Sequence, residues 1–176
     1  MLVAAICAIM GAASDVRSHR IPNWLSYTGL GLALVVRAAV GGWRGLEQGL
    51  GGMLLNGGIF FAFFLIRGMG GGDVKLMAAV SAWVGLEQAM PFLIATALAG
   101  GVLAVFYMAF YKQIANTFRN LAVLLRLNLF FKIKPQPELS LQGSKTLRLP
   151  YGLAIATGAI YLLVSAIINS GVLYGH

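Results

Sequence analysis

The sequence predicts an all-α, polytopic membrane protein with about six transmembrane helices, and three observations carry that expectation. Of the 176 residues, 59% are hydrophobic and 10% charged, with a mean hydropathy of +0.83, far from the balance of a soluble domain. Apolar runs recur at close to the roughly 20 residues that a spanning helix needs. The thirteen lysines and arginines also fall unevenly around those runs.

The first run, residues 1–15, is short; it lacks a basic start and ends at Asp15, so it reads as a helix rather than a cleaved signal. Ile21-Pro22-Asn23 then reads as a turn, with Asn23 capping the second span, 23–42. The third span covers 46–67, and the fourth, 73–89, is again short. Spans five and six cover 90–111 and 149–171. Between them lies the one sizeable polar stretch, 112–148. Its first half mixes Arg119, Arg126 and Lys132 with leucines and phenylalanines, as a basic helix on the membrane surface would. Its second half, with two prolines and a glycine, reads as a connector. The whole segment is read equally as a tether and as a lid or substrate platform. Glycines and alanines at small-xxx-small spacing, Gly45 with Gly49 and Ala154 with Gly158, allow close helix packing. With no internal repeat or soluble domain evident, residues 1–176 read as a single transmembrane domain.

If the 15–23 loop faces the cytoplasm, only Arg37 and Arg44 of the thirteen basic residues fall outside. The positive-inside rule thus places both chain ends outside. The net charge of +8 reflects topology and attraction to anionic lipid rather than nucleic-acid binding. Cys7 is the only cysteine, and the histidines His19 and His176 are predicted on opposite faces, so neither a disulfide nor a metal site is expected. No cofactor motif is present: the chain lacks a phosphate loop, and its glycine run lacks a dinucleotide-site context. There is no Gly-x-Ser-x-Gly elbow, and Ser14 and Ser18 read as local caps.

Two of the five acidic residues stand out, both at the predicted cytoplasmic boundary. Asp73 follows Gly70, Gly71 and Gly72 and opens an apolar run; Asp15 closes one. Ionisable groups at membrane helix ends are costly and invite a functional reading. Read singly, Asp73 is equally a helix cap, and Asp15 a solvated or capping group beside Arg17 and Arg20. Read together, they are an acid/base pair. Two close carboxylates cannot both ionise easily, so one keeps a proton while the other activates water. Glycine at 70, 71 and 72 predicts a water-accessible pocket beside Asp73 and close approach of a substrate backbone. Lys75, if its ammonium points inward, favours ionisation of Asp73.

At these residues the chain resembles the type IV prepilin peptidases, membrane aspartyl proteases with a Gly-x-Gly-Asp signature. Gly70-Gly71-Gly72-Asp73 with Val74-Lys75-Leu76 fits that signature. Asp15 with Arg20-Ile21-Pro22-Asn23 is similar to the family's first aspartate block, and Leu149-Pro150-Tyr151-Gly152-Leu153-Ala154 to the opening of its last helix. The resemblance implies cleavage of a basic leader from prepilins at the cytoplasmic face of the bacterial inner membrane, with Asp15 and Asp73 catalytic and pseudopilins the nearest rival substrate. The place of the first aspartate and the lone cysteine resemble the short TadV/CpaA peptidases of Tad/Flp pilus systems, implying no methyltransferase domain. Rival readings are preflagellin cleavage, a non-catalytic assembly factor, and a proton or ion pathway, for which Asn56 is the one obvious interior polar group.

Overall fold

In a computed structural model of the chain, residues 1–18, 21–66, 69–110 and 151–173 are described. They form five α-helices: α1 (Leu2–Ser18), α2 (Asn23–Leu65), α3 (Gly71–Val84), α4 (Leu86–Phe110) and α5 (Tyr151–Leu173). The expected basic segment 112–148 lies outside the described residues, as do His19, Arg20, Arg67 and His176. The chain divides into two compact units, Met1–Gly101 with Pro150–His176, and Val102–Leu149. Of the second unit only the end of α4 is described, and everything below concerns the first.

Among the described residues, α2, α4 and α5 are long and apolar enough to cross a membrane. Helix α2 has 43 residues, about 65 Å at 1.5 Å per residue, roughly twice the thickness of a hydrocarbon core. It does not run straight. Gly42 leaves helical geometry at φ 57° and ψ −142°, a region where glycine meets no Cβ penalty. Beyond it the chain folds back: a Cβ on Gly49 would lie 3.0 Å from Arg37 Cδ and 3.2 Å from Leu34 Cδ2. The two arms therefore pack as a hairpin, with Gly45 against the Arg37 carbonyl, which is the close approach expected at Gly45 and Gly49. The turn falls where the expected second and third spans meet.

Helix α3 differs from its expected form. The fourth span was placed at 73–89, but α3 begins at Gly71 and ends at Val84, and α4 starts at Leu86. Gly85 makes the break, at φ 87° and ψ 167°, a conformation open to little but glycine. Arg37, reaching from the first arm of α2, donates to the Trp83 and Val84 carbonyls at 2.8 and 2.9 Å. Those carbonyls have no partner within α3, so a cation there both satisfies them and matches the helix dipole. With 14 residues, α3 is too short for an independent span, and its buried positions go almost all round: Asp73, Leu76, Met77, Ala79, Val80, Ser81, Ala82 and Val84. It is the central helix of the unit, enclosed by α2 on one side and by α1 and α5 on the other. Gly85→Ala would strain the backbone and drive a Cβ to 2.6 Å from the Arg37 guanidinium. It should cost about 1–3 kcal/mol, read as a lower melting temperature of the purified protein.

Around α3, small residues set the spacing. Gly11 of α1 lies over Leu76, and Gly57 of α2 over Ala78. Ala154 and Gly158, the other expected packing pair, face Gly100 and Thr96 of α4. Asn56 is fully buried and donates to Ser81 Oγ and to the Ala89 carbonyl, both at 3.0 Å, tying α2, α3 and α4 together. Large apolar side chains such as Trp24, Leu32, Val35, Leu54 and Phe61 point outward, as they would toward lipid.

Candidate active site

Asp15 lies in the last turn of α1 and Asp73 in the first turn of α3, at the same end of the helix pair. Gly11, one turn before Asp15, packs on Leu76, one turn after Asp73, so α1 and α3 cross there with both carboxylates just beyond the crossing. Asp15 is 8% exposed and Asp73 9%. Both carboxylates therefore sit largely inside protein.

Their hydrogen bonds come from backbone. The Gly152 N–H, at the start of α5, donates to Asp15 Oδ2 at 3.0 Å. The Gly70 N–H donates to Asp73 Oδ2 at 3.3 Å, while the Asp73 N–H donates back to the Gly70 carbonyl at 3.1 Å. The capping role foreseen for Asp73 is thus present, but it uses one oxygen only. Asp15 instead stitches α1 to α5, across 137 residues of chain.

Asp73 precedes the buried body of α3 and lies outside the three helices able to cross a membrane. Burial raises its carboxyl from the ordinary 3.8 to about 6; the Asp15 charge pushes the same way, and the Gly70 N–H opposes both. Chemically the arrangement sets a carboxyl that favours its proton, Asp73, near a second carboxylate.

The glycines are used differently from expectation. Gly71 and Gly72 are the first helical residues of α3, not an open turn, and Gly70 is its extended N-cap. The space at Gly72 is taken by Ile21, whose Cβ would be 3.3 Å from an added Cβ, and that at Gly71 by Phe64. The glycine run thereby lets the Ile21-Pro22 turn close onto the start of α3. Pro22 is the N-cap of α2, and Asn23 is its first helical residue rather than a cap. The Asn23 side chain instead accepts a hydrogen bond from Lys75 Nζ at 3.0 Å. That nitrogen also lies 5.1 Å from the centre of the Tyr27 ring. Lys75 therefore points away from Asp73 toward α2, which overturns the inward-facing lysine; with Asn23 it ties the two motif blocks together. Sequence reasoning noted the block at Gly152 but assigned it no contact, since a backbone donor leaves no side-chain signature.

The model of the type IV leader peptidase family matches residues 2–105, more than half of the chain. The chain belongs to that family. No curated protein and no solved structure matches it. The matched span of this leader peptidase holds both aspartates and ends before α5, so the Gly152–Asp15 contact rests on the geometry alone.

Proposed function

We propose that the protein is a multi-pass aspartyl endopeptidase of the bacterial cytoplasmic membrane. In this reading it removes the short basic leader of a prepilin-type substrate at the cytoplasmic face. The observation that carries this is the meeting of two buried carboxylates, from helices far apart in sequence, at one end of the α1–α3 crossing in a leader-peptidase chain. The two arms of α2 count as two spans beside those of α4 and α5, with α1 and α3 packed among them, and the basic residues place the aspartate end at the cytoplasmic face.

Asp15, held by the Gly152 N–H, acts as the carboxylate, and Asp73, raised by burial, as the protonated partner. Asp15 takes a proton from water as the water oxygen bonds to the scissile carbonyl carbon. Asp73 donates to the carbonyl oxygen. Collapse of the tetrahedral intermediate breaks the C–N bond: the departing amine takes the proton that Asp15 collected, and a hydroxyl of the intermediate returns a proton to Asp73 as the carboxyl product forms. No cofactor enters these steps. The residues 70–72 and the Pro22-Asn23 turn support the pair by holding the start of α3, and Lys75 does so through Asn23. Read as a short Tad/Flp-type enzyme, the chain acts on Flp-like prepilins; pseudopilins and preflagellins are the rival substrates. The buried polar groups Asn56, Ser81 and Thr96 cannot ionise, so they do not favour a proton relay over this chemistry.

Co-expression with a Flp-type prepilin tests the reading. A size shift of the pilin, with a new amino terminus just before its apolar helix, is expected. A folded enzyme that leaves prepilins, pseudopilins and preflagellins all uncut would refute it.

A further inference from the structure

On the flank of α3 away from Asp15, the two arms of α2 do not close completely. They leave a groove of about 330 Å³ lined by Leu30, Met53, Leu54, Phe61, Val74 and Ala78 among others. The groove runs along the helices. Lys75, Tyr27 and Phe61 stand at the end nearer the aspartates; Leu30, Met53 and Ala78 lie a turn or more deeper. Besides Tyr27, whose ring lies under the Lys75 ammonium, its walls are apolar but for two groups. Lys75 puts an ammonium at the mouth, and Ser26, 2% exposed, lines the wall with a buried hydroxyl that has no hydrogen-bond partner. An unpaired buried hydroxyl is costly, so an occupant carrying an acceptor is favoured there.

We propose that this groove binds an anionic phospholipid, one acyl chain lying along it, the ester carbonyl accepting from Ser26 and the phosphate facing Lys75. The order of groups along the groove, cation, hydroxyl, then hydrocarbon walls, is the order of phosphate, ester and acyl chain in a lipid. The cation lies level with Trp24 and Tyr27, aromatic residues of the kind that sit at a membrane interface. A basic leader peptide is disfavoured by Lys75, and α3 itself separates the groove from Asp15. The proposal requires α2 to lie in a membrane; it does not depend on the peptidase reading.

Native mass spectrometry of the full chain in detergent tests it, with phosphatidylglycerol and phosphatidylcholine of matched acyl chains as probes. The wild type should retain one phosphatidylglycerol roughly fivefold more tightly than phosphatidylcholine, the attraction of one lysine near an anionic headgroup. Lys75→Met should erase that preference. Gly58 lines the groove, and a Cβ there meets nothing within 4 Å, so Gly58→Leu should fill the groove without a clash and abolish the tight lipid. Gly31, equally unobstructed but outside the groove, supplies the control: Gly31→Leu should bind as the wild type does. Equal retention of the two lipids by the wild type would overturn the proposal. So would undiminished binding by Gly58→Leu, or displacement of the lipid by a basic leader peptide.

Discussion

Asp73→Asn is expected to abolish leader cleavage while making the protein more stable above pH 6. Loss of one member of an acid/base pair removes both proton transfers, since neither carboxyl can complete the cycle alone. The rate should fall by at least about a thousandfold, toward uncatalysed hydrolysis. The stability change has the opposite sign. In the unfolded chain Asp73 ionises near 3.8, in the fold only near 6. A raised carboxyl pKa means that the folded state resists the charge, so its cost grows as pH rises from about 4 to 6 and is complete above. Asparagine carries no charge and keeps an acceptor for the Gly70 N–H. The variant should therefore melt higher than the wild type at pH 8, by roughly 2–3 kcal/mol, with no gain at pH 4. A melting temperature lowered at both pH values would mean that Asp73 serves as a cap and nothing more. The same titration predicts that kcat/KM of the wild type declines as pH rises through about 6, where the proton on Asp73 is lost.

Gly152→Ala should also be damaging, although the change adds only one methyl group. The new Cβ would lie 3.0 Å from Asp15 Cβ and Oδ2 and 3.1 Å from the Ala12 Cα. The last of these is backbone and cannot swing aside. The first turn of α5 must then move off α1, which lengthens the Gly152 N–H bond that aims the Asp15 carboxylate. A misplacement of about 1 Å is enough to cost on the order of a hundredfold in rate. Gly100→Ala, where the added Cβ makes an ordinary 3.6 Å contact with Ala154, should be close to wild type. Cleavage assays of the two alanine variants, with helicity compared by circular dichroism, check this. Equal activity would remove α5 from the active site.

What could be read from the sequence followed from local rules. Polar residues in an apolar chain mark Asp15 and Asp73, and the limits of the apolar runs at 42 and 46 separate the two arms of α2. The misreadings are non-local. Nothing near Gly85 shows that Arg37 arrives from another helix to close α3 there. For that reason the expected boundary, 89, lies beyond the observed end of α3 at Val84. Lys75 follows Asp73 by only two residues, yet its side chain leaves the helix toward Asn23, 52 residues earlier. A 100° step per residue separates what looks adjacent in the chain. The glycines at 71 and 72 suggest room for a substrate backbone, whereas Ile21 and Phe64 use the space that they leave.

The central claim is that Asp15 and Asp73 act as one unit, and the rates of four proteins test it most directly: wild type, Asp15→Asn, Asp73→Asn and the double variant, each cleaving the same prepilin. If the pair is a unit, both single variants fall to a common floor and the double variant falls no further. If either single variant cleaves within tenfold of the wild type, or if the two losses multiply in the double variant, the aspartates work separately and the paired mechanism is wrong.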